Sequence, residues 1–253
     1  MPHDPLGWLR IADTLALALV AFRLSFGGLF RAYPALYIHA IIESVSAVVS
    51  LVVPMSRYAY GMFFVATSPV RWILWVAIVY SLYRQTLALH KGLVKLGRRV
   101  LIGALAATGL FVAFTLPLEF AKATSSSWIL TTILSIEKAL TTALALLILS
   151  LCTFLAWFVI PTKRNTAYLC MGFGIVFAGR AATALMRNVG DPEIFAVINL
   201  VSIALSAVVF TAWAAVLSPA GERQTAFVAR NPSPREVQDA VDRLGKVTRH
   251  LRG

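Results

Sequence analysis

Seven stretches of mostly apolar residues, each about as long as a membrane-spanning helix, divide the sequence between residues 11 and 217. A helix needs ~20 such residues to cross the hydrocarbon core of a bilayer. The segments are residues 11–30, 34–53, 59–83, 100–120, 139–160, 166–186 and 194–217. The fifth contains no charged residue, Gly or Pro, and its helical pattern extends back to about Ser126. The pattern predicts an all-α polytopic membrane protein with a bundle of seven transmembrane helices.

The composition excludes a soluble globular protein. Hydrophobic residues make up 59% of the 253 residues and charged residues 13%, against a usual charged share of ~25%. So few polar residues could not cover the surface of a soluble domain. A net charge of +12 could suggest nucleic acid, but the positions of Lys and Arg favour a cytoplasmic membrane face. We therefore expect membrane lipid, and no nucleic acid, as a partner.

The Lys and Arg residues between the segments predict the orientation. With the N-terminus outside, 15 of them lie on the cytoplasmic side and four on the outer side. The outer four are Arg10, Arg57, Lys122 and Arg187. Because cytoplasmic loops are enriched in Lys and Arg, this asymmetry predicts N-out/C-in, in a bacterial cytoplasmic (inner) membrane.

Three parts of unequal size follow from this pattern. Residues 1–217 form the transmembrane domain, residues 218–234 a polar linker, and residues 235–253 a short amphipathic cytoplasmic tail helix. The tail has three competing interpretations: a helix on its own membrane, a helix docked on a partner, or a frayed end. A protein partner or a homo-oligomer would contact either the lipid-facing helices or the tail between Arg235 and Leu251.

Two opposite charges fall at the middle of neighbouring segments. Glu43 lies near the centre of the second segment and Arg71 near the centre of the third. An ionisable residue at bilayer depth is expensive and indicates a functional site by default. The pair is interpreted either as a structural ion pair that fixes the helix register or as a binding or proton-linked site.

His39 lies one helical turn before Glu43, on the same face of the second segment. That spacing can supply two metal ligands, but there is no HExxH or ExxH motif, so we expect no metal. The expected role of His39 is a hydrogen bond near the inner interface. No second histidine faces it within the bilayer, which argues against haem, and we expect no cofactor.

A second group of charges lies toward the predicted outer side. Arg180 requires a carboxylate, and Asp13 and Glu119 lie at a compatible depth. Glu137 and Lys138 are expected at the outer boundary as ordinary surface charges. Arg23 is expected to extend to the inner interface.

The signatures of the known seven-helix receptors are missing. The last segment contains no lysine, which a retinal Schiff base requires, and it contains no NPxxY motif. Ser81-Leu82-Tyr83-Arg84 stands where a DRY triplet would follow the third helix.

The junction Phe30-Arg31-Ala32-Tyr33-Pro34, the Ser68-Pro69 kink in the third segment and the short basic loops resemble those of uncharacterised bacterial seven-helix membrane proteins. The resemblance spans residues 1–217. It implies a fold and brings no activity with it.

The sequence contains no constellation of catalytic residues, so we expect no enzyme. The first hypothesis is a non-enzymatic accessory or scaffold subunit of a membrane complex. The alternatives are a sensor or receptor that binds a small ligand near the mid-membrane charges and signals through the tail, or a small-solute transporter. A receptor or transporter requires an aqueous pocket that reaches Glu43 and Arg71, whereas a scaffold requires only a closed ion pair.

Overall fold

The computed structural model describes residues 5–53, 56–87, 99, 102–104, 106–110, 112–113, 128–158, 162–189 and 192–223. Most of these residues are helical, and none of them lies in a β-strand. The long helices are α1 (Pro5–Phe26), α2 (Pro34–Val52), α3 (Arg57–Thr86), α4 (Trp128–Phe158), α5 (Arg164–Val189) and α6 (Pro192–Val216). Single 3-10 turns follow α1 at Leu29–Arg31 and α6 at Ala220–Glu222, and most of the described residues between 99 and 113 are also helical.

Four of these helices are long and apolar enough to cross a membrane. The spans are Tyr58–Thr86 in α3, Thr132–Leu155 in α4, Arg164–Met186 in α5 and Glu193–Val216 in α6. Large apolar side chains point outward along the helices, including Phe26, Ile73, Leu146 and Val208, each more than 60% exposed. Such a surface suits lipid rather than water. The chain is a helical membrane protein.

The boundaries of α1 and α2 follow from local residue chemistry. α1 ends at Phe26, four residues before the predicted end, because Gly28 adopts the left-handed conformation (φ 65°) that ends helices. α2 begins at Pro34 as predicted, since proline suits the first turn of a helix. Its apolar part, Pro34–Ser50, is shorter than the four spans above.

α3 continues through Pro69 as one helix. Proline has no backbone N–H and leaves a carbonyl of the preceding turn without its helical donor. The hydroxyl of Ser68 donates to the carbonyl of Phe64 at 2.7 Å in the same turn. This bond goes to the carbonyl of Phe64, adjacent to the Val65 carbonyl that Pro69 leaves without its helical donor.

The six helices form a closed ring. Each contacts the next in chain order, and α6 contacts α1. One end of the ring contains Tyr33, Gln85, Thr166 and Glu222, and is called the Tyr33 end. The opposite end, with the first turns of α1 and the last turns of α2, is called the Asp13 end.

Two neighbours in this ring, α3 and α4, run parallel. Near their C-terminal ends, the Tyr83 hydroxyl donates to the carbonyl of Leu147 at 2.8 Å. Near their N-terminal ends, Phe64 and Leu134 line the same cavity. The two helices are joined through the chain between Leu87 and Trp128.

Small residues allow α5 to approach both of its neighbours closely. A Cβ at Gly172 would lie 2.7 Å from Cε2 of the buried Trp213 on α6, and one at Gly179 would lie 2.8 Å from Oγ of Ser202. A Cβ at Gly174 would lie 3.4 Å from Cγ2 of Ile148 on α4. These small residues therefore serve packing within the bundle.

Several predicted features lie outside the described residues. They include Glu119, most of the predicted fourth segment, the proposed helix start at Ser126 and the tail helix at 235–253. Of the predicted linker, the structure describes Ser218–Arg223, which lies against the start of α5 at the Tyr33 end.

Candidate functional site

Glu43 on α2 and Arg71 on α3 form an ion pair. Nε of Arg71 lies 2.9 Å from Oε1 of Glu43, and 18% of each side chain is exposed. Neither atom meets hydrogen-bond geometry with any partner, so the contact is an attraction between charges without a directed bond. The guanidinium of Arg71 also lies 5.7 Å from the ring centre of Phe64, within cation–π range.

This ion pair lines a cavity of about 510 Å³ at the Asp13 end of the bundle, called the charged cavity. Residues from α1, α2, α3, α5 and α6 form its wall. Its polar lining residues are Arg10, Asp13, Thr14, Glu43, Ser46, Ser50, Tyr60, Arg71, Arg180 and Asn199. Its volume falls within the range of small-molecule sites, roughly 300–1,000 Å³.

Asp13 and Arg180 line the charged cavity from α1 and α5, the two helices that flank α6. The charge of Arg180 acts on the Asp13 carboxylate, but the two groups form no ion pair. Oδ1 of Asp13 is buried and has no hydrogen-bond partner. The guanidinium of Arg180 lies 4.9 Å from the ring centre of Trp75. The predicted carboxylate partner Asp13 therefore shares a cavity with Arg180 without touching it.

His39 lies behind this wall. It is buried, and its ring meets the edge of Trp75 at a centroid distance of 6.5 Å. Nδ1 of His39 has no hydrogen-bond partner, so this nitrogen does not make the hydrogen bond expected from the sequence. Trp75 thus has Arg180 over its ring and His39 against its edge. His39 belongs to the packing that supports Arg180 and does not line the charged cavity.

A smaller cavity of about 260 Å³ adjoins the charged cavity and shares Asp13, Phe64, Arg180, Asn199 and Ile203 with it. Glu137 lines this smaller cavity. The residue was expected at the outer boundary as a surface charge, and the structure places it beside Arg180 because α4 lies next to α3 and α5 in the ring.

The Tyr33 end of the bundle contains a polar cluster that joins four parts of the chain. Glu222 accepts hydrogen bonds from the Tyr33 hydroxyl at 2.6 Å, Nδ2 of Asn165 at 2.9 Å and Nζ of Lys163 at 3.0 Å. Oγ1 of Thr166 lies 3.0 Å from the Tyr33 hydroxyl and donates to Oε1 of Gln85 at 3.2 Å. We call these residues the Tyr33–Glu222 cluster.

The ionisation of this cluster follows from its contacts. Burial raises the pKa of Glu222, but the hydrogen bonds from Tyr33, Asn165 and Lys163 outweigh that effect and hold the pKa below its usual value. Burial, followed by the hydrogen bond to Glu222, raises the pKa of Tyr33 above its usual value. In this cluster, Glu222 is therefore an ionised carboxylate that accepts a hydrogen bond from the neutral phenol of Tyr33.

Arg23 reinforces the same end. Its Nε donates to the carbonyl of Leu217 at 2.9 Å, directly after α6. A cation at a helix C-terminus satisfies a free carbonyl and favours the helix dipole. Arg23 was expected only to extend to the interface, and it also fixes α1 to the end of α6.

Sequence reasoning missed several polar residues that line the two cavities, although their spacing carries a signal. Ser46 and Ser50 follow Glu43 at helical spacing, and both line the charged cavity. Asn199, Ser202 and Ser206 repeat at the same spacing on the apolar α6, and all three line the smaller cavity. A polar stripe on an apolar helix indicates a face turned away from lipid.

The linings of the two cavities present charged and polar groups of both signs. Among the residues that the structure describes, no group of three or more His, Cys, Asp or Glu side chains could hold a metal ion. The chain matches no protein-family model, no curated protein and no solved structure.

Proposed function

We propose that this chain is a seven-helix membrane receptor that binds a small polar ligand in the charged cavity. The observation that carries the proposal is the cavity of about 510 Å³ beside the Glu43–Arg71 pair. A scaffold requires no such space at bilayer depth, where polar side chains are expensive. An accessory subunit, the first expectation from the sequence, is the competing outcome of the test below.

The seven-span topology is part of this proposal. α1 and α2, with 22 and 19 residues, reach about 33 Å and 29 Å, close to the ~30 Å thickness of the hydrocarbon core. Because α3 and α4 are parallel, the proposal assigns one further crossing to the chain between them, and most of the described residues between 99 and 113 are helical, which supports it. The Lys and Arg asymmetry then supports N-out/C-in in a bacterial inner membrane, with the Asp13 end outside.

The one-sided position of the cavity favours a receptor over a transporter. Its lining residues come from the half of each helix nearest the Asp13 end. The Tyr33–Glu222 cluster and buried aromatic residues, such as Phe173 and Trp213, fill the other half. Alternating access would have to break that cluster, whereas ligand binding leaves it intact.

A route from the cavity to the tail runs along α5 and α6. α5 has Arg180 at the cavity and Asn165 in the Tyr33–Glu222 cluster. α6 has Asn199 at the cavity and is followed by the Ala220–Glu222 turn, near the end of the described chain. In this proposal a shift of α5 against α6 on ligand binding alters the start of the cytoplasmic tail, which contacts a separate partner.

Cysteine labelling in intact cells tests whether the cavity is open to the outer solution. The background is a cysteine-free chain with Cys152→Ala and Cys170→Ala, which removes both native thiols. Ser46→Cys probes the cavity one turn from Glu43. Val45→Cys is the matched control on the lipid side, since Val45 is 56% exposed on the apolar surface. The probe is a charged, membrane-impermeant methanethiosulfonate added outside.

The proposal predicts that Ser46→Cys reacts and Val45→Cys does not, because a thiol in lipid neither ionises nor meets the reagent. Ser56→Cys, at an exposed position directly before α3 and outside its candidate span, provides the positive control for the outer side. An inert Ser46→Cys beside a reactive Ser56→Cys would refute the receptor and favour the accessory subunit. Net uptake of a bound ligand into vesicles would favour the transporter.

A further inference from the structure

The charges around the two cavities balance but are not all paired. The described lining includes three positive groups, which are Arg10, Arg71 and Arg180, and three negative groups, which are Asp13, Glu43 and Glu137. Of these six groups, as far as the structure describes the chain, only Glu43 and Arg71 are in contact as an ion pair. A ligand with a net charge would leave an uncompensated charge at bilayer depth, which is costly. A ligand with one charge of each sign would not.

Arg180 is positioned to bind an anionic group. Its guanidinium lies over Trp75, whose own ring meets the edge of Phe177 at a centroid distance of 6.0 Å. The stacking orients the planar guanidinium and leaves its N–H donors without a carboxylate among the described residues. The rigid fork of donors matches a carboxylate in a bidentate arrangement.

Asp13 is positioned to bind a cationic group. Its Oδ1 is buried without a partner, and an unsatisfied buried acceptor is expensive. Tyr60, Phe63 and Phe64 line the same cavity and add aromatic surface to its wall. A cavity that contains both a carboxylate and aromatic rings attracts an ammonium group through charge and cation–π interactions.

We propose that the ligand is a small zwitterion of the amino-acid or betaine class, with its carboxylate on Arg180 and its ammonium on Asp13. This assignment rests on the proposed receptor function and adds the chemistry of the ligand to it. The Glu43–Arg71 pair remains intact and closes the deep side of the cavity. The binding of both ends at once satisfies two groups that otherwise face each other across the cavity unpaired.

The test measures thermal unfolding and binding of the full chain in lipid nanodiscs. The probes are the common amino acids, γ-aminobutyrate and glycine betaine. Each amino acid that raises the unfolding temperature is compared with its N-acetyl form, which lacks the ammonium, and its methyl ester, which lacks the carboxylate. We expect at least one zwitterion to bind, and both derivatives of a bound amino acid to bind at least tenfold more weakly.

Two variants assign the two ends of the ligand. Asp13→Asn should remove the preference for the zwitterion over the N-acetyl form, and Arg180→Gln the preference over the methyl ester. Asp13→Glu and Arg180→Lys retain the charges and show whether a loss reflects folding. The comparison of derivatives on the unmodified chain requires no variant, so it tests the proposal even where a variant does not fold.

The inference is overturned if no zwitterion in the panel binds, if a singly charged derivative binds as well as its parent, or if neither variant changes the preferences. Its failure is distinguishable from failure of the receptor itself. A reactive Ser46→Cys without zwitterion binding refutes the ligand class alone. An inert Ser46→Cys refutes the open cavity and the ligand class together.

Discussion

Tyr33→Phe should destabilise the bundle by removing one hydroxyl. Tyr33 is 3% exposed, and its hydroxyl donates to the Glu222 carboxylate at 2.6 Å. The ring remains, so no cavity is created. Hydrogen bonds to charged groups contribute about 1.5–3 kcal/mol. Because Asn165 still donates to the same Glu222 oxygen, we expect the lower part of that range, about 1.5–2 kcal/mol.

The assay is unfolding of the purified chain by SDS in mixed micelles, followed by tryptophan fluorescence. Tyr58→Phe is the matched control, because Tyr58 is 79% exposed and has no comparable contact to lose. We expect that control to stay within about 0.5 kcal/mol of the unmodified chain. Equal stability of the two variants would refute the role given to the Tyr33–Glu222 cluster.

Three further predictions use the same unfolding assay. Gly172→Ala should destabilise by about 1–3 kcal/mol, because its Cβ would overlap the indole of Trp213, 2.7 Å from Cε2. Gly61→Ala, with nothing within 4 Å, should not destabilise, and equal losses in the two variants would contradict the packing. The pKa of Glu222 is lower in the folded chain than in the unfolded chain, so ionised Glu222 stabilises the fold fully above the ordinary carboxyl pKa. This contribution to the free energy of unfolding is lost as the pH falls through the lowered pKa. Glu222→Gln should abolish the loss at acid pH, and an unchanged pH profile of stability would contradict the assignment. Glu43→Gln and Arg71→Gln should show a coupling of roughly 0.5–3 kcal/mol in a double-mutant cycle, whereas additive effects would argue against the ion pair.

Hydropathy predicted the class of protein, and residue counting along the segments predicted the common depth of its central charges. Apolar length predicted a helical membrane protein, and the described helices bear this out, with four candidate spans. Residue counting along adjacent segments put Glu43 and Arg71 at one depth, and their side chains lie 2.9 Å apart in the structure. Such counting works because a helix rises by a fixed ~1.5 Å per residue and consecutive helices tend to be neighbours.

Contacts between distant segments were not predicted, because a single sequence carries little information about which segments meet. Tyr33 and Glu222 are 189 residues apart, and each lies in a polar junction that resembles any other loop. Only the closed ring of helices brings these junctions together. Depth counting also could not show that Asp13 and Arg180 face one cavity without touching, since contact depends on helix rotation and on side-chain conformation.

Native mass spectrometry of the chain, released gently from its own membrane, tests the central claim most directly. The receptor account predicts a particle whose mass is that of the 27.5 kDa chain, or a small multiple, plus a small polar molecule. The molecule should be absent when Arg180→Gln is examined in the same way. A particle with fixed protein partners and no small molecule would contradict the receptor and identify the chain as an accessory subunit.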